Sequence, residues 1–200
     1  MTPWRDALRE FIRREALPVD KYGHQPRLYE LTRHVGAGFD YDDDVVYAAA
    51  WLHDLGVFTG HRPEDLGALA AWDNTAYAMG ETPAILQGLG FPAGKIAAVV
   101  EAIRTHQPSA DPASLEAIIL RDADILEQLG AVGVLRATCK VGRDTRFPTL
   151  TSVVDTLRRA LDTLPPRIRL DTTRTLAEPK IQLLQAFLAA ASQEGSPELY

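Results

Sequence analysis

Apolar positions recur every three to four residues over most of the chain, which is the period of an α-helix. The first such segment, residues 2–16, carries Trp4, Leu8, Phe11 and Ile12 at this spacing. Further segments of the same type follow at residues 25–36, 41–56, 64–90, 92–107, 111–142, 150–165 and 173–195. No run shows the sustained alternation of apolar and polar residues that half-buried strands show. The pattern therefore predicts an all-α protein.

The glycines and prolines divide these segments and suggest how the chain is organised. We expect the segment 64–90 to be interrupted near Gly80, and Pro179 to lie near the start of the last helix or to kink it. Connections are short and no internal repeat is present. We therefore predict a single domain over residues 1–200, with residues 148–195 as a helical extension packed on it.

Composition and charge narrow the range of partners and compartments. The formal net charge of −6 argues against nucleic acid as a partner, since binding to its backbone requires an excess of Lys and Arg. Cys139 is the single cysteine, which excludes an internal disulfide, and we expect a small buried thiol. No stretch reaches the roughly 18 consecutive apolar residues of a membrane helix, and the charged N-terminal segment does not resemble a secretory signal. These features predict a cytoplasmic protein that binds neither nucleic acid nor membrane.

Two acidic sites interrupt segments that should face the core. His53 and Asp54 follow the apolar run "YAAAWL", and Asp122 and Asp124 interrupt the apolar stretch 118–126. A carboxylate in such a setting is costly unless a cation or a strong hydrogen-bond donor accompanies it. A divalent metal shared by the two sites would supply that charge, with imidazole and carboxylate groups as ligands.

These residues resemble the H…HD…D signature of the HD superfamily of metal-dependent phosphohydrolases. Four stretches carry the resemblance: "GHQPRLYEL", "AAAWLHDLG", "LGFPAGKIAAVVEAIRTHQ" and "LRDADILEQLGAVGVLR". The last two are similar to small stand-alone bacterial HD proteins, and the motif region covers about residues 20–140. The resemblance implies an HD-domain helical bundle that hydrolyses a phosphate ester or anhydride. It also implies a metal held by His24, His53, Asp54 and Asp124.

Two of these ligands have a competitor in the sequence. His34 lies ten residues after His24 in the same predicted helix and therefore points in another direction; the "HQPR" context favours His24. Asp122 and Asp124 are about 200° apart around a helix, so only one of them can face the metal. The resemblance assigns that role to Asp124.

The chain lacks the additional histidines that dinuclear HD proteins carry between the HD pair and the last Asp, which favours one metal per chain. We expect this metal to be manganese, iron, nickel or magnesium. The chain also lacks an acidic residue just after "HDLG", where some phosphohydrolases carry their general acid or base. His106 and His61 are the candidates for catalytic assistance, and His106 is the better of the two. Arg27, Arg136 and Lys140 are candidates for binding the substrate.

The resulting expectation is hydrolysis of a phosphate-containing small molecule, with a nucleotide as the commonest substrate class in the family. Two other functions remain open. The chain could be a regulatory HD protein that binds a nucleotide or a metal without turnover. It could also be an HD-fold iron oxygenase, although those proteins surround two irons with more histidines than this chain has. The sequence leaves open whether the chain forms a homodimer.

Overall fold

A computed structural model describes residues 2–144 and 146–195, without the side chain of Asp20. Within these residues the secondary structure consists of helices, without a strand, so the all-α prediction is confirmed. The α-helices are α1 (Pro3–Glu15), α2 (His24–Val35), α3 (Asp43–Leu52), α4 (Leu66–Ala70), α5 (Asn74–Gly88), α6 (Ile96–Arg104), α7 (Leu115–Gln128), α8 (Gly130–Thr138), α9 (Leu150–Thr163) and α10 (Asp171–Glu194).

The chain forms two compact units, residues 1–121 and 122–200, and α7 runs across the boundary between them. The prediction of one domain with residues 148–195 as an extension stays a prediction.

Helix α3 is the central element of the first unit. All eight residues from Val45 to Leu52 are buried, because α3 packs against α1, α2 and α6. The helix begins where the Asp42 carboxylate accepts a hydrogen bond from the amide of Asp44, and acidic residues in its first turn suit the positive end of the helix dipole. An amphipathic surface helix would not tolerate apolar residues on every side, so this composition marks α3 as the core helix.

A network of ion pairs fixes the start of α3. Arg5 pairs with Asp43 at 2.7 Å and with Asp44 at 2.6 Å, and Lys95 pairs with Asp42 and Asp44. Burial would raise the pKa of the Asp44 carboxyl, but the hydrogen bonds from Arg5 and Lys95 outweigh it and lower that pKa. A carboxyl whose pKa is lowered by folding stabilises the fold above its unfolded pKa. The contribution of Asp44 is therefore present at neutral pH and is lost in acid, as the pH falls through the lowered pKa.

In the described part of the second unit, α8, α9 and α10 pack against one another. Helix α9 begins with a capping box, in which the side chains of Thr149 and Ser152 each accept a hydrogen bond from the other residue's amide. Helix α10 continues through Pro179, which lies well inside it.

Three expectations from the sequence are corrected. The break in residues 64–90 falls at residues 71–73, where Asp73 caps α5, and exposed Gly80 lies inside that helix. The segment 111–142 is not one long helix but is divided between α7 and α8 at Gly130, whose φ of +73° lies in the left-handed region that favours glycine. Cys139 is exposed and not buried.

None of the helices in the described part of the chain combines the length and the hydropathy that crossing a bilayer requires.

Candidate metal centre

The turn after α3 explains why a histidine and an aspartate stand together after a buried helix. His53 caps α3 and still donates its amide hydrogen to the Ala49 carbonyl at 2.9 Å. Asp54 leaves the helical conformation, with φ −102° and ψ 15°, and starts the short 3-10 turn Leu55–Val57. The helix end therefore presents an imidazole and a carboxylate from consecutive residues, which we call the HD turn (residues 53–57).

His24 meets this turn from the first residue of α2. Its Nε2 atom lies 3.1 Å from Nε2 of His53, and both nitrogens lie 3.6 Å from Oδ2 of Asp54. The two imidazoles are buried, whereas the Asp54 side chain is 23% exposed. Two imidazole nitrogens and a carboxylate oxygen thus converge on one small volume.

The orientation of the His53 ring is set by its own helix. Nδ1 lies 3.0 Å from the Ala50 carbonyl oxygen, which can only accept, so Nδ1 carries the proton and donates it. The lone pair of the neutral ring is then on Nε2, the atom that faces His24 and Asp54. A second group fixing the other ring nitrogen is the usual arrangement for a histidine that ligates a metal.

His106, two residues after α6, is held in the same way. Its Nδ1 atom donates to the Ile103 carbonyl at 2.6 Å, and its Nε2 atom accepts from the Gln107 amide at 3.1 Å. The ring is 2% exposed and its centroid lies 5.0 Å from that of His53. His53, Asp54 and His106 each offer a ligand atom within 4.8 Å of the others, so this group could hold a metal ion.

The distances and donor types fit a divalent metal. Two nitrogens bound to one ion at about 2.0–2.1 Å are separated by roughly 3 Å when the ligands are adjacent, close to the separation of the two Nε2 atoms. Neutral imidazoles together with a carboxylate suit first-row transition metals. The HD turn and His24 together therefore supply the donor set of a divalent metal centre.

Asp122 and Asp124 both lie in the part of α7 that belongs to the second unit. Their carboxylates accept hydrogen bonds from different donors. The fully buried Asp122 carboxylate accepts hydrogen bonds from the amides of Arg169 and Leu170, the closest at 2.9 Å. The partly buried Asp124 carboxylate accepts one from the Gln128 side chain at 3.2 Å. Asp122 thus anchors the segment before α10, an arrangement that favours Asp124 as the ligand. Ligation by Asp124 remains a prediction.

The other two histidines lie in different surroundings. His34 is on the exposed face of α2, with 61% of its side chain accessible, as expected for a solvent-facing residue. His61 is engaged at both ring nitrogens, by the Tyr77 hydroxyl at 3.0 Å and by a Glu15 carboxylate oxygen at 2.9 Å. Both ring nitrogens of His61 are therefore engaged by neighbouring side chains, and its role in catalysis stays a prediction.

The three basic candidates for substrate binding also differ. The exposed Arg27 lies against Gly23, next to His24, where a Cβ on Gly23 would be 2.8 Å from the guanidinium. Arg136 pairs with the buried carboxylate of Glu127, and this structural ion pair accounts for Arg136 without a role in substrate binding. Lys140 lies over the ring of Phe147, with its ammonium 5.5 Å from the ring centre. Arg27 therefore lies close in the chain to the candidate ligand His24, against the preceding Gly23.

The sequence did not predict the residues from other elements that hydrogen-bond the HD turn and the segment after it. The Trp72 indole donates to the Gly56 carbonyl at 2.8 Å, and Glu15 and Tyr77 hold His61. Glu15 is nearly forty residues from the HD pair in sequence, so no local motif indicated these contacts. The available signal was His61 in "FTGHRPED", which the sequence suggested as a catalytic candidate.

Gly56 gives the first prediction about this turn. A Cβ on Gly56 would lie 2.6 Å from the Asn74 carbonyl oxygen and 2.8 Å from its Cα, so the turn and α5 would have to separate. We expect Gly56→Ala to lower the free energy of unfolding by about 1–3 kcal/mol, the usual cost of overpacking. Gly80→Ala is the matched control, because its Cβ would meet open space within α5 and should stabilise that helix slightly. Urea denaturation of both variants measures the difference, and equal stabilities would contradict the tight contact.

Comparisons with known proteins agree with this geometry. The sequence model of one family, described as HD domain, matches residues 22–129. Among solved structures, the fold is similar to that of Bacillus subtilis YpgQ, at 21% identity and a TM-score of 0.76, over 98% of this chain and 99% of that one. A structure of YpgQ in complex with ADP gives 22% identity and a TM-score of 0.72, over 98% and 96% of the two chains.

A predicted HD superfamily hydrolase from an uncultured Thermotogales bacterium has 23% identity and a TM-score of 0.67, over 96% and 93% of the two chains. At these identities the likeness concerns the fold. No curated protein matches the sequence significantly.

Proposed function

Because the chain belongs to the HD domain family, we propose that it is a metal-dependent phosphohydrolase that acts on a phosphate-containing small molecule, with nucleotides as the substrate class. The observation that carries the proposal is the convergence of His24, His53 and Asp54 at the HD turn. An arrangement of this kind suits a metal that must keep a coordination position for water or substrate.

We assign four ligands to the metal: His24, His53, Asp54 and Asp124. When bound, a divalent metal supplies Lewis acidity and lowers the pKa of a water molecule. The Ala50 carbonyl orients the His53 ring so that Nε2 is the ligand atom, and Asp54 adds a negative charge that offsets part of the charge of the ion. Four protein ligands leave room for water only if the ion is five- or six-coordinate, which favours manganese, iron, nickel or magnesium over tetrahedral zinc.

The residues around these ligands are assigned to the substrate. His106 is buried beside His53, and its Nε2, which accepts from the Gln107 amide, is the ring nitrogen that can take up a proton. Arg27, next to His24, is suited to neutralise phosphate charge. The nucleotide class is supported by the ADP complex of YpgQ, a protein with the same fold.

Hydrolysis assays with the purified protein test the proposal. We expect turnover of one or more nucleotides or phosphate esters with Mn²⁺, Fe²⁺, Ni²⁺ or Mg²⁺, poor turnover with Zn²⁺, and none after chelation. Released phosphate and remaining nucleotide are measured across a panel of nucleoside mono-, di- and triphosphates and simple esters. If no substrate is hydrolysed with any of these metals while a nucleotide still binds, the protein is a regulatory binder and the proposal is wrong.

A further inference from the structure

The segment that follows the HD turn is held at several points by elements distant in sequence. The Thr59 amide donates to the Leu17 carbonyl at 2.9 Å, just after the end of α1. Trp72 donates to the Gly56 carbonyl, and Phe58 is fully buried. Such multiple anchoring exceeds what a simple connection between α3 and α4 requires, since loops of this kind commonly lie on the surface with few fixed contacts.

His61 provides a further anchor of this segment. The Glu15 carboxylate can only accept a hydrogen bond, so Nε2 of His61 carries a proton and donates it, and Nδ1 lies 3.0 Å from the Tyr77 hydroxyl. Burial and the charges of Glu81 and Glu15 raise the pKa of Tyr77, which keeps its phenol protonated as a donor. Only 15% of the His61 side chain is accessible. The imidazole thus joins α1 to α5, and we call Glu15, His61 and Tyr77 the clasp.

A short chain of hydrogen bonds links the clasp to Asp54. The His61 amide donates to the Phe58 carbonyl at 3.1 Å. The Phe58 amide donates to Leu55, and the Val57 amide donates to the carbonyl of Asp54 itself at 3.0 Å. Two consecutive turns, the 3-10 turn after Asp54 and the turn from Phe58 to His61, therefore connect Asp54 to the clasp.

We propose that the clasp positions the Asp54 carboxylate for metal binding, so that His61 acts as a positioning residue although it does not belong to the ligand set. This inference rests on the proposed metal centre. The backbone of Asp54 begins the 3-10 turn, and movement of the far end of that turn changes the direction in which its carboxylate points. Groups outside the ligand set that orient ligands commonly change metal affinity when they are removed.

The test measures Mn²⁺ affinity of the full chain by calorimetry and by electron paramagnetic resonance of free Mn²⁺, without any substrate. We expect His61→Ala to weaken Mn²⁺ binding by roughly 10- to 100-fold. His61→Gln keeps an amide that can reach Glu15, and His61→Asn keeps one that can reach Tyr77, so both should recover part of the affinity. Tyr77→Phe removes only the hydroxyl and should weaken binding less than His61→Ala does.

Two controls separate positioning from loss of stability. His34→Ala removes an exposed histidine that also lies near a glutamate, and should leave Mn²⁺ affinity unchanged. Tyr47→Phe removes a hydrogen bond to the Arg5 carbonyl within the same unit, and should lower stability without changing Mn²⁺ affinity.

The results distinguish the clasp from the proposed function. Wild-type affinity in folded His61→Ala and Tyr77→Phe would overturn the clasp, as would an equal loss of affinity in Tyr47→Phe. Mn²⁺ binding that depends on His61 in a protein that hydrolyses no substrate would support the clasp and refute the phosphohydrolase. A wild-type protein that binds no Mn²⁺ would overturn both.

Discussion

Replacement of His53 by alanine is expected to abolish metal-dependent turnover. The substitution removes the imidazole whose Nε2 lies 3.1 Å from that of His24 and 3.6 Å from the Asp54 carboxylate. Since Lewis-acid stabilisation by a metal is worth several kcal/mol, and each 1.4 kcal/mol is about tenfold in rate, we expect a loss of roughly 10³-fold or more. Asp54→Ala should have an effect of the same order, because it removes the negative ligand from the same turn.

Metal analysis and the hydrolysis assay measure this effect together. Both variants should be purified with less than the wild-type metal content, and excess Mn²⁺ should restore little activity. His34→Ala is the matched control, since it deletes an exposed imidazole from α2 and should retain full activity and metal. Wild-type turnover by His53→Ala would remove the basis for assigning catalysis to the HD turn.

A second pair of substitutions should give opposite outcomes at two residues of one helix. Asp122→Ala deprives the amides of Arg169 and Leu170 of their acceptor and should lower the free energy of unfolding by about 1–3 kcal/mol, while metal binding persists. Asp124→Ala should leave stability nearly unchanged in the metal-free protein but lose the metal and the activity. The difference follows from the roughly 200° that separates the two side chains around α7.

Urea denaturation in the presence of a chelator, followed by titration with Mn²⁺, separates the two effects. Loss of metal in Asp122→Ala with retention in Asp124→Ala would reverse the assignment of the ligand. Equal stability and equal Mn²⁺ affinity in the two variants would contradict the different roles that we assign to Asp122 and Asp124.

Much of the helical fold could be predicted because each helix carries its own periodic signal. Val45 to Leu52 predicted a buried helix, and α3 is the core helix of its unit. The breaks were harder to predict, because a glycine has different effects in different places. Gly130 ends α7 since the chain turns there with a positive φ, whereas Gly80 stays inside α5, where the helix simply continues past it. Only the three-dimensional course of the chain distinguishes these cases.

The part of the candidate site that could be predicted consists of the residues that belong to motifs in a recognisable order. His24, His53 and Asp54 were selected by their order and context, and the structure brings their side chains together. The surroundings could not be predicted, because they come from residues with no motif of their own. His61 illustrates this limit: its sequence position suggested catalysis, but its contacts to Glu15 and Tyr77 are visible only when α1 and α5 are folded.

The carbonyls that hold His53 and His106 have a thermodynamic consequence. Each ring is fixed by the carbonyl three residues earlier, at the end of its own helix, so both rings are already oriented when the helices form. The entropy of ordering the His53 ligand is therefore lost during folding and not during ion capture, and that of ordering His106 is lost before a substrate binds. An ion that binds only the folded chain also shifts the folding equilibrium, by about 2.7 kcal/mol when its concentration is 100 times its Kd. The thermal midpoint of this protein should accordingly rise with metal concentration, so that a melting curve also reports on occupancy of the centre.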